Sequence, residues 1–334
     1  MGKSGDTVDC EAVHNDEASF MALTKSMLSP ESLVDSKYNT PETRKAWVHG
    51  LFERISVHYD KMNDIESFGM HRIWKRRLVE KVAAGLPADG GGGAATAASG
   101  GAAAAASGGA TASGGGAATA SGGAAASGGA AATASGDGAA TASGGGAAVL
   151  DLACGTGDIA LALAERLPSA QVVGLDFAAQ MLEVAKVRAR DLLGEAEYPR
   201  FVHGDIYHLP FADASQDAVT ISFGLRNLPD YPLALAEIMR ILKPGGRFYC
   251  LEASYPENVI IKPVFRLYFR YIMPALGKMV SGHAEEYRWL NDSTEAFLSK
   301  SQLADLLKSS GLTDVVYKSY AFGASALHMG VKPR

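Results

Sequence analysis

Val149-Leu150-Asp151-Leu152-Ala153-Cys154-Gly155-Thr156-Gly157-Asp158 reads as a buried apolar strand, a Gly-x-Gly turn and the opening of a helix that runs through Ile159 to Leu167. Glycines at this spacing let the backbone turn sharply and approach a ligand, which a residue with a Cβ does only at a cost. The next apolar run, Val172-Val173-Gly174-Leu175, ends in Asp176, where a carboxylate can accept both hydroxyls of a ribose. Strand, glycine turn, helix, strand and acid in this order point to a nucleoside-type cofactor.

Working outward, strands are expected at 148–153, 171–175, 200–203, 218–223 and 247–252, with helices at 159–167, 179–193 and 233–240 between them. Such alternation builds a parallel sheet with helices on both faces. Two short strands at 313–319 and 324–331, around Tyr320-Ala321-Phe322-Gly323, are expected to close one sheet edge antiparallel.

On the N-terminal side, residues 1–40 show no sustained periodicity and read as a loosely ordered tail. Helices are expected within 41–89: one after Thr40-Pro41-Glu42, with Trp47, Leu51 and Ile55 on a common face, and one from His71 to Ala84. Residues 90–147 are almost wholly Gly, Ala, Ser and Thr, with no large side chain to bury. That stretch reads as an insertion joining the helices to the core at 148–334.

Composition narrows the class. The 334-residue chain carries a formal charge of -5, without the basic excess of a nucleic-acid binder. Cys10, Cys154 and Cys250 are too few and scattered for a disulfide framework. There is no signal-peptide pattern at the N-terminus and no uncharged apolar run of roughly 18 residues. The expectation is a soluble, cytoplasmic protein.

The glycine turn alone is weak evidence; Asp176 and Gly204-Asp205-Ile206 strengthen it, because all belong at the carboxyl edge of the sheet. Where a dinucleotide fingerprint has its third glycine stands Ala160, which that fingerprint tolerates. Asp158 puts a negative charge at the helix start, disfavouring a pyrophosphate and suiting an amino-bearing ligand. The reading therefore moves from NAD to S-adenosylmethionine. Asp151 is read as either structural or a binder of the cofactor amino group. Cys154 has no evident base to make it a nucleophile, and His203, His208 and Asp205 form no defined metal set.

Three stretches carry a family likeness: Tyr59-Asp60-Lys61-Met62-Asn63-Asp64 through Trp74, Phe223-Gly224-Leu225-Arg226-Asn227, and Arg240-Ile241-Leu242-Lys243-Pro244-Gly245-Gly246-Arg247 through Ser254. With Leu327-His328-Met329-Gly330-Val331-Lys332, they make the chain resemble the S-adenosylmethionine-dependent C-methyltransferases of menaquinone and ubiquinone biosynthesis, the UbiE/MenG type. The insertion departs from that pattern, and Phe322-Gly323-Ala324 replaces a usual glycine pair.

The resemblance implies a class I methyltransferase fold, Rossmann-like, with a mostly parallel seven-stranded sheet and an antiparallel C-terminal hairpin. It places S-adenosylmethionine at Gly155, Thr156, Gly157, Asp176 (ribose), Asp205 and Ile206 (adenine) and Ser222. The implied acceptor is a lipophilic reduced polyprenyl quinol, most directly demethylmenaquinol. A benzoquinol of ubiquinone biosynthesis, another small molecule, or a noncatalytic binding scaffold are the alternatives. Methyl transfer to carbon needs a base near the ring hydroxyl and a cation to hold the quinolate. Arg226 is the expected oxyanion partner, and Asp60, or Asp205 through a water, the expected base; no metal is needed. Tyr59, Asn63, His71, Asn227 and Tyr287 are the expected acceptor contacts. Residues 256–292 combine apolar side chains with Lys262, Arg266, Arg270 and Lys278. They suit a lid or a peripheral membrane contact; helices packed on the sheet or a homodimer interface are the other readings.

Overall fold

The computed structural model describes Gly50, Asp64 and residues 67–86, 146–194, 199–272 and 292–334. The expected tail, the first N-terminal helix, nearly all of the 90–147 insertion, and Tyr59, Asp60, Asn63 and Tyr287 lie outside the described residues.

The first helix, α1 (Met70–Gly85), buries Trp74, Leu78, Val79 and Val82 at helical spacing. The opening stretch forms β1 (Ala148–Leu152), buried at every position, and α2 (Asp158–Arg166). A strand buried on both faces belongs in the middle of a parallel sheet, and β1 lies between β2 (Gln171–Asp176) and β4 (Gln216–Ser222), parallel to both. Helix α3 (Ala179–Leu193) connects β2 to β3 (Arg200–His203). Helix α4 (Tyr231–Ile241) connects β4 to β5 (Leu242–Ala253), and the Asp230 carboxylate caps it by accepting from Leu233 N–H at 2.9 Å.

The expected hairpin is present, but the two strands enter the sheet in reverse order. The order is β3-β2-β1-β4-β5-β7-β6, with β7 (Ser325–Val331) antiparallel to β5 and β6 (Thr313–Tyr320) at the edge. Polarity explains the swap. Ser325, Ala326, Leu327 and His328 are all buried in β7, whereas β6 exposes Thr313, Asp314, Lys318 and Ser319, residues that blunt an edge. Helix α6 (Lys300–Ser309), which packs under this hairpin, was not among the expected elements. Its signal is Ser299-Lys300-Ser301-Gln302, a capping box in which the Ser299 side chain and the Gln302 side chain each take the other's backbone N–H.

Side-chain alternation divides the core between the two sheet faces. Leu150, Leu152, Val219, Ile221, Phe248 and Cys250 pack with α4 and α6, while Val149, Ala218, Tyr249 and Leu251 pack with α1 and α2. Asp151 therefore faces α1 and α2. Beyond β5, residues 254–260 lead into α5 (Ile261–Leu267), which continues as a wider π turn, Tyr268–Ile272. Among the described residues, no helix is long and apolar enough to cross a membrane.

Candidate cofactor and acceptor site

The strand order reverses between β1 and β4, and a cavity opens there at the carboxyl edge of the sheet, where ligands of open parallel sheets collect. Its wall is drawn from the ends of four strands: Ala153 and Gly155 after β1, Asp176 and Phe177 at β2, Gly204, Asp205 and Ile206 after β3, and Ser222 to Gly224 at β4. Asn227, Leu228 and Pro229 complete it.

Gly155 adopts φ 54°, and a Cβ built there would meet nothing within 4 Å, so its backbone faces open cavity. Gly157, at φ 85°, has a different reason: its missing Cβ would sit 3.1 Å from Ala185 Cβ and the Phe201 ring. One glycine admits a ligand and the other lets α3 and β3 close behind the turn.

Asp176 ties the turn to the next helix. Its Oδ2 accepts from Gly155 N–H at 2.7 Å and its Oδ1 from Ala178 N–H at 2.8 Å. Burial pushes its pKa up, and these backbone donors oppose that shift. A carboxylate has about four lone-pair sites, so the two oxygens keep acceptor capacity for a vicinal diol. Asp205 Oδ1 accepts from Tyr207 N–H at 3.1 Å, which fixes that carboxylate on the cavity wall beside Ile206. Ser222 Oγ is buried and, among the described residues, has no hydrogen-bond partner. A buried polar atom of this kind on a cavity wall is what a ligand hydrogen bond satisfies. The apolar Leu175, Phe177, Met181 and Ile206 suit a flat heterocycle. The residues present thus fit S-adenosylmethionine, with carboxylates that keep acceptor capacity, an apolar wall for a flat heterocycle and a buried hydroxyl left to satisfy.

Four side chains meet partners that the sequence does not announce. Thr156 does not line the cavity; Arg188 Nη1, from α3, donates to both its Oγ1 and its carbonyl at 2.9 Å. Asp158 is not an unsatisfied negative charge waiting for a ligand amine. Lys75 Nζ lies 2.7 Å from its Oδ2 and Arg188 Nη2 2.6 Å from its Oδ1, and these two cations hold its pKa down at about 2 against the effect of burial. The charge argument that favoured S-adenosylmethionine over NAD therefore fails, although the cofactor assignment stands on other grounds. Arg226 also leaves the cavity wall: its side chain is buried against Glu252, and its Nη1 donates to the Glu252 carboxylate and to Phe223 O. Its backbone N–H donates to the same carboxylate at 3.1 Å. His71, expected at the acceptor, is buried on α1 with Nδ1 2.8 Å from Ser67 Oγ and is not among the residues that line the cavity.

Asp151 is buried with Oδ1 accepting from Thr220 Oγ1 at 2.7 Å, and its Oδ2 has no partner among the described residues. Burial pushes its pKa up to about 7. Burial likewise pushes the Cys154 thiol well up, which leaves it unsuited to nucleophilic work. Glu252 and Arg188 are the side chains that sequence reasoning missed. The one anchors the 223–227 loop, the other the glycine turn, and each acts on residues at least 26 positions away.

The chain matches the model of the ubiE/COQ5 methyltransferase family over residues 38–108 and 138–332. It is 34% identical to the demethylmenaquinone methyltransferase of Staphylococcus aureus (strain JH9) over 303 residues, covering 90% of this chain and 98% of that one. The same protein of strain Newman matches to the same extent. Among solved structures, the complex between the Haloferax volcanii Trm112 methyltransferase activator and the putative methyltransferase is similar at 24% identity. It covers 57% of this chain and 84% of that one, with a TM-score of 0.43. Sheet topology, the cavity at the strand reversal and the family match agree: the chain belongs to the ubiE/COQ5 methyltransferase family and is an S-adenosylmethionine-dependent methyltransferase.

Proposed function

We propose that this enzyme methylates a ring carbon of demethylmenaquinol to give menaquinol. The observation that carries the reading is the match to a demethylmenaquinone methyltransferase across nearly the whole of both chains. The geometry supports it with a cavity that is mostly apolar but holds Asp176, Asp205, Ser222 and Asn227 on its wall. When bound, the cofactor supplies a sulfonium-activated methyl group. The chain's own residues bind and align. Asp176 accepts the ribose hydroxyls, and Asp205 with Ile206 receives the base. Phe223 and Asn227 present the 223–227 loop to the acceptor, and that loop is set by the Arg226–Glu252 pair, so Arg226 is a positioning residue. The ring carbon becomes nucleophilic as its neighbouring hydroxyl gives up a proton, and it loses its own proton after the methyl carbon has bonded. Asp60, or Asp205 through a water, is the carboxylate we assign to the hydroxyl proton, Asp60 from the segment that also carries Tyr59 and Asn63.

The acceptor's prenyl chain is hydrocarbon, so the reading includes peripheral contact with a membrane. The insertion is read as a linker; the family match leaves 109–137 unmatched within it. Turnover measured as S-adenosylhomocysteine release against reduced demethylmenaquinol, its benzoquinol counterpart and unrelated phenols tests the proposal. Preference for demethylmenaquinol supports it. Preference for the benzoquinol moves the enzyme to ubiquinone biosynthesis, and cofactor binding without release on any acceptor favours the scaffold.

A further inference from the structure

Among the described non-glycine residues with positive φ, Ala153 and Phe223 are the two that line the cavity, and Phe223 carries a bulky ring at φ 57°. A left-handed backbone at such a residue is strain held in place by its surroundings, and it tends to mark function. Three hydrogen bonds hold it here. Phe223 N–H donates to Leu251 O at 2.8 Å, and Phe223 O accepts from Arg226 Nη1 at 2.8 Å and from Asn227 Nδ2 at 3.4 Å.

The strain redirects the ring. Val219 and Ile221 face α4 and α6, so a β4 that stayed extended would send position 223 to that face as well. Phe223 instead packs with the side chains of the opposite face, its ring centroid 6.4 Å from that of Trp74 on α1 at an interplanar angle of 48°. Arg226 Cζ lies 6.0 Å from the same centroid. Gly224 then presses on the turn after β1, where a Cβ would come within 2.6 Å of Ala153 Cβ. The half-buried Phe223 ring thus adjoins a buried indole, and the residue forms part of the cavity wall at the end of β4. Phe177 and Ile206, which suit the flat base of the cofactor, follow β2 and β3, on the other side of β1 in the strand order. Phe223 is left for the second ligand.

We propose that the Phe223 ring is the platform on which the acceptor ring stacks, and that it selects a fused two-ring quinol over a single-ring one. The proposal deepens the functional reading and rests on it for the class of acceptor. Offset stacking adds to the gain from burial, and a second fused ring extends the area that overlaps the platform. The strain has a use in that role: a ring already locked by backbone hydrogen bonds and by Trp74 loses little freedom when the acceptor arrives. Glycine would fit this backbone without strain but would bring no ring.

Equilibrium dialysis of the full chain tests it, with menadiol, a methylated two-ring quinol, and methylhydroquinone, its single-ring counterpart, both kept reduced and with S-adenosylhomocysteine present. Wild type is expected to prefer menadiol by at least roughly tenfold, the factor for one well-placed aromatic pair. Phe223→Leu keeps apolar bulk without the flat face. It is expected to narrow that preference by roughly fivefold and to leave S-adenosylhomocysteine binding unchanged. Phe223→Gly, which relieves the left-handed backbone, is expected to narrow the preference at least as far, and it reads the proposal if the leucine variant does not fold. The proposal is overturned if wild type binds the two quinols within about twofold of each other, or if a variant that still binds S-adenosylhomocysteine keeps the wild-type preference. Turnover on a short-chain soluble demethylmenaquinol reads the functional proposal separately. Methyl transfer with an unchanged preference in the variants sinks only the platform, and selective binding without transfer to any quinol sinks only the function.

Discussion

Replacing Glu252 by Gln tests whether the Arg226–Glu252 pair sets the loop that faces the acceptor. The Glu252 side chain is 2% exposed and that of Arg226 6%, so neither can turn to water. Glu252 Oε1 accepts from Arg226 Nη1 and from Ala253 N–H, and its Oε2 accepts from Arg226 N–H. Glutamine keeps one acceptor oxygen, turns an NH2 group towards a backbone N–H, and takes away the carboxylate charge that faces the buried guanidinium. Breaking a buried pair in this way costs about 3–5 kcal/mol. For a folded region of this size each kcal/mol moves the melting temperature by about 2–4 °C, so the variant is expected to melt roughly 6–20 °C lower. Scanning calorimetry of the cofactor-free protein makes the measurement. A paired control, Arg226→Met with Glu252→Gln, removes both charges and keeps an acceptor oxygen for a backbone N–H, so it is expected to recover part of the loss. If Glu252→Gln melts within about 2 °C of wild type, the pair does not anchor the loop and the positioning role of Arg226 is wrong.

Further outcomes follow from the same geometry. Asp176→Asn is expected to weaken S-adenosylmethionine binding in calorimetry by about a hundredfold or more, since two hydrogen bonds to a charged group are worth about 1.5–3 kcal/mol each. An affinity within fivefold of wild type, roughly 1 kcal/mol, would remove Asp176 from the site. Asp151 gives a pH signature. Its folded pKa of about 7 lies above the ordinary 3.8, so the folded state holds the proton longer than the unfolded state, and stability falls as pH rises between those values. Asp151→Asn, which can still accept from Thr220, is expected to melt higher than wild type at pH 8, by up to roughly 4 kcal/mol in stability. That advantage should fade towards pH 4; a difference independent of pH refutes the buried-acid account. Deleting 92–145 is expected to leave turnover nearly intact, because shortening a linker changes closure entropy by only about 0.6 kcal/mol per halving. Loss of cofactor binding in the deletion would give the insertion a structural role.

Features dictated by local backbone chemistry were legible in the sequence. A largely apolar strand, glycines that need φ > 0 and an acid at the end of the next strand identify the cofactor edge without help from the rest of the chain. Strand polarity also held the order of β6 and β7, since the buried Ala326-Leu327-His328 run belongs inside the sheet and the Asp314 and Lys318 strand at its edge. What escaped was long-range pairing. Asp158 and Thr156 look cofactor-facing beside the turn, but Lys75 and Arg188 claim them, 83 and 32 positions away. Arg226 looks like a free cation after a strand until the β4–β5 register places Glu252 beside it. Charge at a helix start has no fixed meaning until its partners are known.

The most direct measurement is mass spectrometry of the quinol recovered after incubating the protein with trideuteromethyl-labelled S-adenosylmethionine and reduced demethylmenaquinol. The account predicts menaquinol that carries the intact labelled methyl group on a ring carbon, with no such product from Asp176→Asn at the same cofactor concentration. Unchanged demethylmenaquinol, or label recovered on oxygen rather than carbon, would contradict it.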